Sequence, residues 1–96
     1  MIQRTLLIKA RLGLHARAAA RLVRVASGFQ SQILLRRVDG SVRADAKSIL
    51  SVLMLAASCG TELQATAEGT DEEAAMRAID RLFANGFGEL KPGSSL

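Results

Sequence analysis

Gly13-Leu14-His15-Ala16-Arg17-Ala18-Ala19-Ala20-Arg21-Leu22-Val23-Arg24 is the stretch on which the reading of this chain turns. Ala19, Leu22, Val23 and Ala26 recur at the spacing of one helical face, which predicts a helix from Ala16 to about Ser27, starting directly after the only histidine. A helix start carries N–H groups without intrahelical acceptors and the positive end of the peptide dipoles, and both attract a dianion. Arg17 adds a cation in the first turn. Neutral imidazole is a nucleophile, so His15 is a candidate phosphoryl acceptor whose product would be held by groups that gain strength as the charge arrives. Arg17, Arg21 and Arg24 line the opposite face of the same helix. That stripe has two readings, a solvated face, which is the commoner case, and a docking surface extending from the phosphate site.

Working outward, Ile2 to Lys9 places Ile2, Leu6 and Ile8 on one side and reads as a first strand, with residues 10–15 as a loop. Gly28 is expected to close the first helix as a left-handed C-cap. Ser31 to Val38 and Ser41 to Asp45 read as second and third strands about an Asp39-Gly40 turn. From Lys47 or Ser48 to Ala57 comes a second helix with almost no polar face, ended by Gly60. One sheet cannot cover all of it, so part of Ile49, Leu50, Leu53 and Met54 is expected at the surface, where an apolar patch marks a partner; full burial is the other reading. Leu63, Ala65 and Ala67 alternate with polar residues in a fourth strand. A capping box of Thr70 and Glu73 is expected to start the last helix, which packs through Ala75, Ala78, Ile79, Leu82 and Phe83 and ends at Asn85-Gly86. The order βαββαβα implies an α+β open-faced sandwich, a four-stranded antiparallel sheet with three helices on one face. Residues 1–88 form the domain and 89–96 a flexible C-terminal tail.

Ninety-six residues suffice for one modest core. No stretch approaches the about 20 apolar residues of a membrane span, the first residues lack a secretory pattern, and Cys59 is alone, so a soluble cytoplasmic protein is expected. One His and one Cys cannot furnish a soft-metal site, and neither a Walker loop, a dinucleotide glycine fingerprint nor a G-x-S-x-G elbow is present, so no metal and no cofactor is expected. A net charge of +4 admits a small RNA-binding domain as a rival, but three Phe and no Trp or Tyr give bases little to stack on. An acidic protein partner accounts for the arginines equally well. A structural partner-binding domain with an idle His15 is the third reading.

Gly13-Leu14-His15-Ala16-Arg17, Lys47-Ser48-Ile49 before an apolar helix, and Gly60-Thr61 opening the fourth strand together resemble the HPr family, the histidine-containing phosphocarriers of the bacterial phosphoenolpyruvate-dependent phosphotransferase system. The resemblance spans about residues 2–88. It implies that His15 accepts a phosphoryl group on Nδ1 from enzyme I and passes it to a histidine of an enzyme IIA component, making the chain a stoichiometric carrier rather than an enzyme. It implies that Arg17 steadies the phosphate, that Ile49, Leu50 and Leu53 dock partners beside Arg21, Arg24 and Lys47, and that Ser48 is open to a kinase of the HPr kinase/phosphorylase type. Independently of that, Ser48 is a natural N-cap. The monomer is the expected working form, in sugar uptake or in a nitrogen-type, purely regulatory branch. Ala18 stands where the family usually has proline, and the segment 29–47 is slightly longer than in many relatives, which implies a bulge or a longer hairpin.

Overall fold

A computed structural model of the chain describes residues 1–88, so the tail expected at 89–96 lies outside the described residues. The elements run β1 (Ile2–Leu7), α1 (Ala16–Ser27), β2 (Gln32–Arg37), β3 (Arg43–Asp45), α2 (Ile49–Met54), β4 (Glu62–Glu68) and α3 (Glu72–Ala84), followed by a tight turn at Gly86–Gly88. The strands form one antiparallel sheet in the order β1-β4-β2-β3, with Leu6 opposite Leu63 and Ile33 opposite Ala67. Leu6, Ile8, Ile33, Leu35, Leu63, Ala65 and Ala67 are buried on one face, under the three helices. Each fully buried Leu or Ile contributes about 1.5–3 kcal/mol relative to exposure. The other face is solvated, so the four-stranded open-faced sandwich read from the alternating pattern is the observed fold.

Several boundaries differ from the sequence reading, each for a local reason. Regular pairing of β1 stops at Leu7, although Ile8 N–H still donates to Thr61 O at 2.9 Å and Gly60 N–H to Ile8 O at 2.8 Å. Gly28 is not left-handed (φ −77°); α1 instead tightens, Gly28 N–H reaching Val25 O and Phe29 N–H reaching Ala26 O. The hairpin is longer than a two-residue turn, because Arg37 N–H bonds Val42 O and the Asp39 carboxylate takes both the N–H and Oγ–H of Ser41. That delays β3 to Arg43. The second helix is only six residues long and ends at Met54, well before Gly60, because Ala56 enters the left-handed region at φ +50°. The expected capping box is displaced by one residue: the Glu72 carboxylate, not that of Glu73, reaches back to Gly69 N–H at 3.1 Å, and Asp71 replaces Thr70 at the N-cap.

Asp71 spends its side chain away from its own helix. It accepts the Gln30 and Ser31 N–H groups, each at 2.9 Å, and the Ser31 hydroxyl, tying the entry of β2 to the start of α3. Asn85 closes α3 as expected, with Gly86 left-handed after it, and Phe87 then turns in to meet Phe83 edge to face at 4.8 Å. Phe87 and Met76 are core residues that the helical stripe did not include.

The hydrogen bond from Ser31 Oγ–H, followed by those from the Gln30 and Ser31 N–H groups, holds the Asp71 carboxyl below its ordinary value of 3.8. A group depressed in the folded state contributes stability that is present above its unfolded value and lost as pH falls through the folded one. Thermal melts from pH 7 to pH 2 are therefore expected to show falling stability below the ordinary carboxylate range. Asp71→Asn should melt lower than wild type at pH 7 and show a shallower acid limb; identical limbs would remove Asp71 from that role.

Candidate functional site

His15 is the N-cap of α1, with an extended backbone (φ −76°, ψ 179°) and its carbonyl accepting the first helical bond, from Ala19 N–H at 2.8 Å. Its Nδ1 accepts the Arg17 N–H at 3.3 Å. Acceptance at Nδ1 puts that nitrogen's lone pair toward the helix start and the tautomeric proton of the neutral ring on Nε2. The N–H groups of Ala16 and Ala18, in the same first turn, have no acceptor within the helix. A dianion built on Nδ1 would therefore lie against the donor end of α1. Ala18 is fully buried, so alanine at this position packs the helix into the core and leaves an N–H where proline has none.

The loop is held to the rest of the molecule by two features. Gly13 is left-handed (φ +71°) and lies so close to the chain leaving α2 that a Cβ there would fall 2.5 Å from the Ala57 carbonyl oxygen and 2.8 Å from Ser58 Cα. Leu14 is buried, and its N–H donates to that same Ala57 oxygen at 2.9 Å. The carbonyl that seats the loop thus comes from a residue the sequence reading assigned to the helix itself. That carbonyl lies three residues beyond the observed end of α2.

The arginine stripe divides. Arg17 and Arg24 are exposed, and neither side chain has a hydrogen bond or ion pair among the described residues. Arg21 instead donates to the Phe87 carbonyl and braces the Gly86–Gly88 turn. Lys47 is likewise engaged, its Nζ donating to Phe29 O at 2.7 Å. Ser48 caps α2, its Oγ accepting Ser51 N–H at 3.4 Å. With Lys47 tied to the end of α1 and Ala57 to the loop before it, Ser48 and His15 sit at opposite ends of α2.

Val52 and Leu55 turn α2 into the core, whereas Leu50 is 71% exposed, Met54 74% and Ile49 42%, with Leu53 half-buried. Leu12, in the His15 loop, is also exposed; without periodicity in that loop, no sequence signal singled it out. A concavity of about 500 Å³ lined by Leu7, Arg37, Asp39 and Thr61 contains neither His15 nor Arg17. His15 is half-buried at the start of α1, where Ala16 and Arg17 are exposed. Among the described residues, no three His, Cys, Asp or Glu side chains are placed to hold a metal ion, and no helix is long and apolar enough to cross a membrane.

Residues 2–85 match the family model described as the PTS HPr component phosphorylation site. The chain is 48% identical over 89 residues to the phosphocarrier protein HPr of Treponema pallidum, covering 93% of this chain and 99% of that one. It is 38% identical over 88 residues to the phosphocarrier protein NPr of Escherichia coli K12, covering 92% and 97%. Among solved structures, an HPr crystal structure from Thermoanaerobacter tengcongensis superposes with a TM-score of 0.86 at 42% identity, covering 93% of this chain and 98% of that one.

Gly13→Ala tests the seating of the loop. The left-handed backbone alone costs about 1–2 kcal/mol for alanine, and the Cβ clash with Ala57 and Ser58 adds to it. The expected result is a melting temperature lower by roughly 10 °C, at about 4–8 °C per kcal/mol for a domain of this size. An unchanged melting temperature would mean that the loop is not seated this way.

Proposed function

The chain belongs to the HPr family of phosphotransferase-system phosphocarriers, and from that premise we propose that His15 is its phosphoryl acceptor, loaded by enzyme I and unloaded by an enzyme IIA component. The observation that supports this most directly is the Nδ1 of His15 facing the start of α1. In the transfer, the Nδ1 lone pair attacks the phosphorus of the donor's phosphohistidine. The donor N–P bond breaks as the His15 N–P bond forms, and the donor imidazole leaves with the electron pair. The helix start stabilises the bound dianion by about 0.3–1 kcal/mol, up to about 2, and a charge-assisted bond from Arg17 by roughly 1.5–3 kcal/mol. These sums are small enough for the group to leave again, as a carrier requires.

Ile49, Leu50 and Leu53 form the docking patch, with Met54 and Leu12 extending it, and Arg17 and Arg24 supplying the cationic margin. Arg21 and Lys47 contribute from positions already bonded within the fold. Phosphorylation of Ser48 by a kinase of the HPr kinase/phosphorylase type would place about two negative charges beside Ile49 and Leu50 and oppose docking. Sugar uptake in the cytoplasm is the leading setting. The likeness to an NPr gives a second one, a nitrogen-type relay using the same residues, and the identity of the enzyme IIA that discharges His15 separates the two.

Incubation with phosphoenolpyruvate and enzyme I is expected to add one acid-labile phosphoryl group, detected by mass spectrometry and absent from His15→Ala. Arg17→Gln should slow loading by about 10- to 100-fold, the rate equivalent of the bond assigned to it. Leu50→Glu should raise the KM for the carrier with a smaller change in kcat. Labelling of His15→Ala would overturn the assignment.

A further inference from the structure

The solvated face of the sheet carries a charge arrangement that the carrier function does not use. Arg36 on β2 lies directly opposite Arg43 on β3, and directly opposite residues of a sheet share a face. Two cations in that relation repel one another. On its other side Arg36 faces Gln64 and donates to that neutral side-chain oxygen, while the nearest carboxylate of β4 on this face, Glu62, lies two residues along the strand and outside the lining of the cup that Arg36 and Arg43 share. Asp45 lies two residues beyond Arg43 on the same face, and its Oδ1 accepts the Lys47 backbone N–H at 2.9 Å. Arg43 has no hydrogen bond or ion pair among the described residues.

Gln3, Leu34, Arg36, Arg43, Gln64 and Thr66 line a shallow concavity of about 250 Å³ on this face, with no acidic side chain in its wall. Leu34 and Thr66 are register partners and form its floor; Gln3 sits opposite Thr66 on β1. Two guanidinium groups beside the neutral amides of Gln3 and Gln64, over a floor of Leu34 and the Thr66 hydroxyl, make up a donor set for a tetrahedral dianion on a small polar body. We infer that this cup binds a small organic phosphate ester, of the size of a phosphorylated three-carbon alcohol. The helices cover the opposite face of the sheet, so such a ligand leaves His15 and the α2 patch open.

Backbone amide shifts recorded while titrating the full chain with glycerol 3-phosphate test this. The amides of residues 34–36, 43 and 64–66 should move along one saturable curve in the low-millimolar range. Arg43→Gln and Arg36→Gln should each weaken that curve by about tenfold or more, the loss of one charge-assisted hydrogen bond. Both variants should still accept phosphate on His15, which separates this site from the carrier function. Shifts confined to residues 15–18, shifts that never saturate, or an equal response to succinate would overturn the inference.

Discussion

The carbonyl of Ala57 seats the loop before His15 on the body of the molecule. It accepts the Leu14 N–H at 2.9 Å, and its oxygen occupies the space a side chain at residue 13 would need. α2 ends at Met54, so that carbonyl belongs to the chain leaving the helix. Ala56 takes a left-handed backbone to make the turn, a conformation that alanine adopts only when the surroundings insist on it. The start of α1, and with it the direction of the His15 ring, follows from this contact. α2 and its cap residue Leu55 pack on the core through Val52 and Leu55 and leave Leu50 and Met54 at the surface.

The parts of this arrangement that are periodic were legible before any coordinates. The stripe through Ala19, Leu22 and Ala26, the alternation of Leu63, Ala65 and Ala67, and the placement of His15 at a helix start all reappear in the structure. What was not legible depends on contacts between segments distant in sequence. Gly28 could not be known to keep a right-handed backbone, because what closes α1 is a tightening of its last turn. Asp71 caps nothing with its side chain because Gln30 and Ser31, forty-odd positions earlier, claim it, and Glu72 then serves Gly69 in place of the expected Thr70 and Glu73 pair. Arg21 and Lys47 are expected beside the docking patch, and each also bonds a backbone carbonyl from another part of the chain. The same limit hid Leu12, Phe87 and the Ala57 carbonyl, none of which lies on a repeat.

In the function we propose, chemistry and docking are separated in space but joined by one short helix. His15, the phosphoryl acceptor we propose, lies at the entry of α1, the cap residue Ser48 at the far end of α2, and the exposed apolar side chains between them. A partner that covers Leu50 and Met54 therefore comes within reach of His15 without needing a cavity in this protein. The cationic margin adds attraction for an acidic partner at long range, an effect that salt screens beyond about 8–10 Å. Modest stabilisation of the bound phosphoryl group fits the same logic, since a deep well would trap what has to be passed on.

Of the roles proposed, that of His15 Nδ1, directed at the start of α1, as the nitrogen that carries the group governs all the others. Long-range proton–nitrogen correlation spectra of the chain after loading by phosphoenolpyruvate and enzyme I test it most directly. The phosphorus coupling and the nitrogen shift change are expected to fall on Nδ1, with Nε2 keeping its proton. Phosphorylation at Nε2, or at a residue other than His15, would contradict it.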